Sequence, residues 1–393
     1  MTNATSRKPY PKTRVVTSTQ ANLWMQTLPD CIHNKVAARA WLRTKGRVLD
    51  RRSPMTLTRR TLVQAAAAAG LAPLSHLAQA QADTLKISHQ FPSGTLTDGD
   101  FRDRLCRRFA ADVEKRSNGA LKAAVYPGSS LMKTNAQFSS MRKGALDMSL
   151  VPLSYAGGEV PETNIGLMPA LVPSYEVGAK WKTAEVGRLL AKTLDDKGVI
   201  IVSWIWQGGG VASKNAPLVA PEDAKGMKVR GGSREMDMML KAAGASVISL
   251  PSNEIYAAMQ TGAMEAAMTS STSFISFKLE EIAKHLTTAR NKAYWFMLEP
   301  LMISKEVFLK LPKAHRDIIM AVGAEQEAFA TQAARLDDKV VAQVYAHAGA
   351  KVYDIDDATL AKWQAVAKAT AWKDFAEHND SCKAMIAAAQ KLL

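Results

Sequence analysis

The sequence predicts an α/β protein of two similarly built lobes braced by long C-terminal helices. Three observations lead there. Short strand patterns alternate with helical ones through the first half of the chain beyond residue 83. One segment recurs further along without a gap, and the last third is long, Ala-rich and helical.

Residues 1–82 come first and stand apart in composition. They hold thirteen Lys and Arg against two acids, Asp30 and Asp50, so a chain of net charge +15 becomes nearly balanced beyond them. The charge therefore belongs to a leader, and a nucleic-acid partner is not expected. From Met55 the leader reads MTLTRRTLVQAAAAAGLAPLSHLAQAQA, with Arg59 and Arg60 ahead of an Ala-rich run and a small-residue ending at Ala82. This is the pattern of a twin-arginine export signal, residues 55–82, cleaved near Ala82. Pro73, Ser75 and His76 interrupt it, and it is too short to cross about 30 Å of hydrocarbon. Residues 1–54 lack apolar periodicity and read as an upstream extension outside the fold, with Met55 the expected start. After cleavage Cys106 and Cys382 remain. An oxidising compartment would permit them to pair, but two cysteines so far apart on helical segments are expected to stay separate.

The strand patterns are TLKISHQ (84–90), ALKAAVYP (120–127), ALDMSLV (145–151) and GVIIVSWIW (198–206). Between the first two, FRDRLCRRFAADVEKRSNG sets Phe101, Leu105, Phe109 and Val113 at helical spacing and stops at Asn118 and Gly119. Two later stretches, Pro312 to His347 and Asp356 to Leu392, are helical and are expected to brace the sheets from outside. The recurrence lies between NAQFSSMRKGALDMSLVPLS (135–154) and NEIYAAMQTGAMEAAMTSST (253–272). Each copy reads as a helix, a C-cap glycine (Gly144, Gly262) and a strand. Convergence can produce that pattern in any α/β protein; the alternative is two lobes of like construction. In that case Ser149 to Tyr155 and Thr269 to Ser273 reach the crevice between lobes, where open α/β sheets bind ligands.

The stretch KGMKVRGG ends a short apolar strand on Arg230. Either the arginine pairs with a nearby acid, Glu235 or Asp237, or it stands open at a lobe edge. In the second case Gly231 and Gly232 let the backbone turn unobstructed, and the planar guanidinium fits a carboxylate with two parallel hydrogen bonds. Trp204 reads as core. Trp206, beside a flexible Gln207-Gly208-Gly209-Gly210, reads as core or as an aromatic pocket wall. Tyr294, Trp295 and Phe296 read as hinge packing. Gln90 can donate to a ligand oxygen, His89 reads as structural, and Asp98, Asp100 and Glu159 as solvated. No HExxH, GxGxxG, phosphate loop or GxSxG occurs, so no metal, cofactor or catalytic residue is assigned.

In order along the chain, HQFPSGT, VEKRSNGALKAAVYPGSSL, MRKGALDMSLV, PEDAKGMKVRGG and IYAAMQTGAMEAAM resemble the DctP-type solute-binding proteins of tripartite ATP-independent periplasmic (TRAP) transporters. The resemblance runs from about Leu85 to Ala389. It implies a periplasmic-binding-protein-like fold with hinge strands and a long spanning helix. Lobe I would be 83–206, completed by part of 296–350, lobe II 207–295, and the spanning and C-terminal helices 304–393. It also implies capture of an organic acid for a sodium-driven membrane permease, with Arg230 on the ligand carboxylate. Gln90, Tyr155, Trp206, Thr269 and Ser270 complete the expected ligand site. Two departures bear on the ligand. Gly210 stands near the place of a second arginine carried by sialic-acid-binding members, so a large sugar acid is not expected. Glu265 and Ala266 replace the Asp-Gly of many members, which puts ligand contacts from that strand in doubt. One clear cation favours a small monocarboxylate, 2-oxo, 2-hydroxy or aromatic, with a C4-dicarboxylate as rival. A monomer is expected; a sensory binding module and, more remotely, an exported enzyme are the alternatives.

Overall fold

A computed structural model describes residues 83–393 of the chain. The export signal and the start site lie outside the described residues. Twelve strands run in the order β1 (Asp83–His89), β2 (Leu121–Tyr126), β3 (Met148–Leu150), β4 (Val199–Ser203), β5 (Trp206–Ser213), β6 (Lys228–Arg230), β7 (Ser246–Val247), β8 (Ala266–Ser270), β9 (His285–Thr288), β10 (Trp295–Leu298), β11 (Leu301–Ser304) and β12 (Lys351–Asp354). They form two sheets, and the protein is α/β with two lobes. The first has the order β2-β1-β3-β11-β4 and the second β12-β9-β5-β8-β6-β7, with β10 also paired to β5.

Local signals explain the first sheet. Asp100 caps the helix Phe101–Arg116 by accepting the Arg102 backbone N–H, and Lys115 and Arg116 in its last turn complement the helix dipole. Asn118 and Gly119 end it at φ 51° and 80°. Its buried face of Phe101, Leu105, Phe109 and Val113 is at most 1% exposed. Each such side chain contributes about 1.5–3 kcal/mol by leaving water, and β2 returns parallel to β1 behind it.

The two recurrent segments fall one in each sheet. Helix Gln137–Arg142 turns at Gly144, φ 66°, into β3, and helix Ile255–Gln260 turns at Gly262, φ 78°, into β8.

The chain crosses between sheets three times, once through the long helix that leads to β12 and twice by short segments that run side by side. GVIIVSWIW, expected as one strand, is broken: β4 ends at Ser203, Trp204 and Ile205 cross, and β5 begins at Trp206 in the other sheet. The return crossing lies between β10 and β11 at Glu299 and Pro300, and the Glu299 N–H donates to the Ile205 carbonyl at 2.8 Å. Gly208 to Gly210, expected to be flexible, are fully buried in β5. Close approach requires them: a Cβ on Gly209 would stand 2.2 Å from the Thr269 carbonyl oxygen, and one on Gly210 1.9 Å from that of Thr287.

The 35-residue helix Lys313–His347 spans both halves. Near its start the Gly323 carbonyl accepts from Ser203 Oγ at 2.8 Å, beside β4. Near its end Val341 and Tyr345 enter the second core with Ala212, Ala267 and Leu286 of β5, β8 and β9. The helical stretch after Asp356 is broken into Asp357–Ala367, a π-turn at Lys368–Trp372, Lys373–His378 and Asp380–Gln390. At the π-turn the Trp372 indole N–H donates to the Pro169 carbonyl at 2.8 Å. Cys106 and Cys382 are buried and unpaired.

Candidate ligand-binding site

Where the short crossings meet the carboxyl ends of β6 and β8 lies a small cavity of about 10 Å³. That is room for about one water molecule. Arg102, Tyr155, Arg230, Thr269, Trp295 and Glu299 are among its lining residues. Tyr155 follows the first recurrent segment and Thr269 lies in the second, so both copies reach the same place.

Arg230 is 2% exposed at the end of β6. Its Nε donates to the Leu250 carbonyl at 3.1 Å, Nη1 to the Met268 carbonyl at 2.7 Å and Nη2 to the Tyr155 hydroxyl at 2.8 Å. The Tyr155 hydroxyl also accepts the Ser252 N–H at 2.9 Å. Three of the guanidinium's N–H groups are thereby engaged; one on each terminal nitrogen has no partner among the described residues. Neither acid weighed as its partner serves. Glu235 pairs with Arg234, and Asp237 accepts the Gly231 N–H at 3.2 Å. Among the described residues Arg230 forms no ion pair, so a buried cation faces the cavity without a counter-charge. Gly232, at φ 100°, keeps it accessible, since a Cβ there would lie 2.7 Å from Nη1.

The opposite wall was not read from the sequence. Arg102 is 1% exposed and grips Asp100 with Nε at 2.9 Å and Nη2 at 2.7 Å. Its Nη1 reaches Ser270 Oγ at 3.3 Å, Ser273 Oγ at 3.1 Å and Glu299 Oε2 at 3.2 Å. Its guanidinium lies 3.6 Å from the Phe91 ring centroid. Asp100, expected to be solvated, is buried because this arginine holds it. Burial pushes the Asp100 carboxyl up, but the charge and hydrogen bonds of Arg102 bring it below its ordinary value. For Glu299 burial prevails, and its carboxyl is raised despite Arg102 and Gln207. Glu299 Oε2 accepts from Arg102 Nη1 and Gln207 Nε2, whereas Oε1 is buried without a partner. Arg102 is thus paired with two acids, whereas Arg230 is paired with none among the described residues.

The other expected residues take different places. Ser270 lies behind Arg102 and caps the helix Ser271–Ser276, touching the site only through that arginine. Gln90 is 1% exposed, with both amide atoms unpartnered, and is not among the cavity's lining residues. Trp206 packs edge-on against Trp181 and borders a separate groove with Tyr175, Trp204 and Arg335. Trp204, read as core, is half-buried there. Trp295, read as hinge packing, lines the cavity, and its indole N–H donates to the Gly231 carbonyl at 3.1 Å. His89 is structural: its ring meets Asp103 at 3.1 Å.

Two α/β lobes joined by paired crossings, with a small cavity lined by two arginines and a glutamate at the junction, define a two-lobed ligand-binding protein. The chain belongs to the family described as bacterial extracellular solute-binding protein, family 7 (DctP), which matches residues 93–379. It is 66% identical over 339 residues to a solute-binding protein of Albidiferax ferrireducens, covering 86% of this chain and all of that one. The C4-dicarboxylate-binding periplasmic protein DctP of Rhodobacter capsulatus is 26% identical over 314 residues, 79% of this chain and 92% of its own. A crystal structure of a TRAP periplasmic solute-binding protein from Rhodoferax ferrireducens with bound malonate superposes with a TM-score of 0.78 at 69% identity, covering 78% of this chain and 98% of that one. The family is one of solute-binding proteins, not enzymes. Among the described residues no helix is long and apolar enough to cross a membrane.

Proposed function

We propose that the protein captures a small organic acid in the periplasm, closes on it by hinge motion, and delivers it to a sodium-coupled TRAP permease. The observation that carries this reading is the buried Arg230, without an ion-pair partner among the described residues, lining the cavity between the lobes. A buried charge without a partner is costly, and a ligand carboxylate would relieve that cost while using the two free N–H groups. Tyr155 and Thr269 are the other proposed contacts at the cavity wall. Ser270 acts through Arg102, and Gln90 and Trp206 would join only if closure on a ligand rearranges the wall. An acid of few carbons is the proposed ligand, and the malonate bound by the 69%-identical relative is such an acid. The Tat-like leader accounts for export to the periplasm.

A thermal-shift screen of the purified protein against organic acids, neutral sugars and amines tests the reading. A ligand at a hundred times its Kd stabilises by about 2.7 kcal/mol, a shift of a few degrees. Malonate or another three- to four-carbon acid should produce it. Shifts with neutral sugars or amines alone would overturn the proposal.

A further inference from the structure

Glu299 is the one carboxylate that lines the cavity, and it does so at the crossing between sheets with 0% exposure. Its Oε2 is engaged by two N–H donors, Arg102 Nη1 and Gln207 Nε2. Burial raises this carboxyl, those two bonds oppose the rise by favouring the ionised form, and the other oxygen, Oε1, has no partner among the described residues. A buried acceptor left unmatched is costly, so a ligand that brings a donor to it is preferred over one that brings a second acceptor. We infer that Glu299 sets the specificity of the site for a monoanion that carries an O–H beside its carboxylate, such as a small hydroxy acid, against the 2-oxo acid of the same size.

The inference rests on the carboxylate reading of Arg230 and deepens it. Charge points the same way. Asp100 and Glu299 both pair with Arg102, so Arg230 offers one positive charge, which a monoanion matches and a dianion exceeds beside Glu299. Malonate therefore fits as its monoanion, whose remaining O–H faces Glu299. The charged groups acting on Glu299 are Arg102 and Asp100, and Arg230 lines the same cavity.

The test is isothermal titration of the purified full chain with lactate, pyruvate and malonate at neutral pH, repeated on Glu299→Gln. Wild-type protein should bind lactate at least tenfold more tightly than pyruvate. It should also take up a proton with malonate, read from the dependence of heat on buffer ionisation. In Glu299→Gln, whose amide can donate, the lactate-to-pyruvate ratio should fall to within about threefold. The wild-type ratio stands without the variant should the variant fail to fold. Equal or tighter binding of pyruvate by wild type would mean that Glu299 carries the proton and donates it, and overturns the inference while the carboxylate reading survives. No binding of any of the three acids would overturn that reading and this inference with it.

Discussion

Removing the Arg230 guanidinium should abolish most of the binding energy while leaving a folded protein. The residue is 2% exposed, so a carboxylate bound to it would be fully desolvated. Truncating one partner of such a pair costs about 2–5 kcal/mol, or roughly thirty-fold to several-thousand-fold in affinity. Burial places Arg230→Ala in the upper part of that range, at least about four-hundredfold. The unliganded protein should be affected less. The Leu250 and Met268 carbonyls lose donors, each at a cost of about 1–3 kcal/mol, but the variant also sheds an uncompensated buried charge. Tyr155 keeps the Ser252 N–H and so keeps its place. Arg230→Lys retains the charge and loses the planar fork, and should bind at an intermediate level. Calorimetry with malonate, together with melting curves of the unliganded proteins, reads all of this. Near-wild-type affinity in a folded Arg230→Ala protein would refute the reasoning. A collapse of unliganded stability with affinity intact would make the arginine structural.

Three further outcomes are expected. Gly232→Ala forces a Cβ to within 2.7 Å of Arg230 Nη1 at φ 100°, so malonate affinity should drop at least tenfold in calorimetry and stability by about 1–3 kcal/mol. Burial raises the Glu235 carboxyl from 4.5 to about 7, even though Arg234 stands 3.4 Å away, because that arginine is half exposed. The folded state therefore holds this proton more tightly than the unfolded one. The cost of ionisation is absent below about pH 4.5, grows as pH rises and is complete above about pH 7, amounting to roughly 3 kcal/mol. Glu235→Gln should raise the melting temperature at pH 8 and leave it nearly unchanged at pH 4.5; a gain confined to acid pH would reverse the assignment. A cavity that holds about one water admits an acid only when the lobes part, so small-angle scattering should show a larger radius of gyration without ligand than with it. Identical curves at demonstrated saturation would count against hinge closure.

The fold was legible in the sequence wherever the signal was local. Strand alternation, the Asn118 and Gly119 stop and the two C-cap glycines each act through neighbouring backbone, and each appears where its residues place it. GVIIVSWIW misled because period-two alternation continues through Trp204 and Trp206 although the chain changes sheets between them. The glycines of β5 were read as flexible because a sequence does not reveal that Thr269, Thr287 and Trp295 crowd them from other strands. At the site, Arg230 could be found because its strand, its glycine pair and its family resemblance coincide. Arg102 could not. In the first turn of an amphipathic helix an arginine reads as solvated, and its burial depends on Glu299, Ser270 and Ser273, some 170 to 200 residues away. The signal that could have found Glu299 was its position: an acid between the two apolar strands WFML and LMIS has no solvent face to occupy.

The most direct test of the central claim, that an acid is held on Arg230 between the lobes, is the electron density of co-crystals grown with the acid that the thermal-shift screen selects. The predicted result is a carboxylate within about 2.7–3.1 Å of the Arg230 guanidinium, inside a cavity walled by Tyr155, Thr269, Trp295 and Glu299. An acid bound outside that cavity, or lying in it with its carboxylate turned away from Arg230, would contradict the claim.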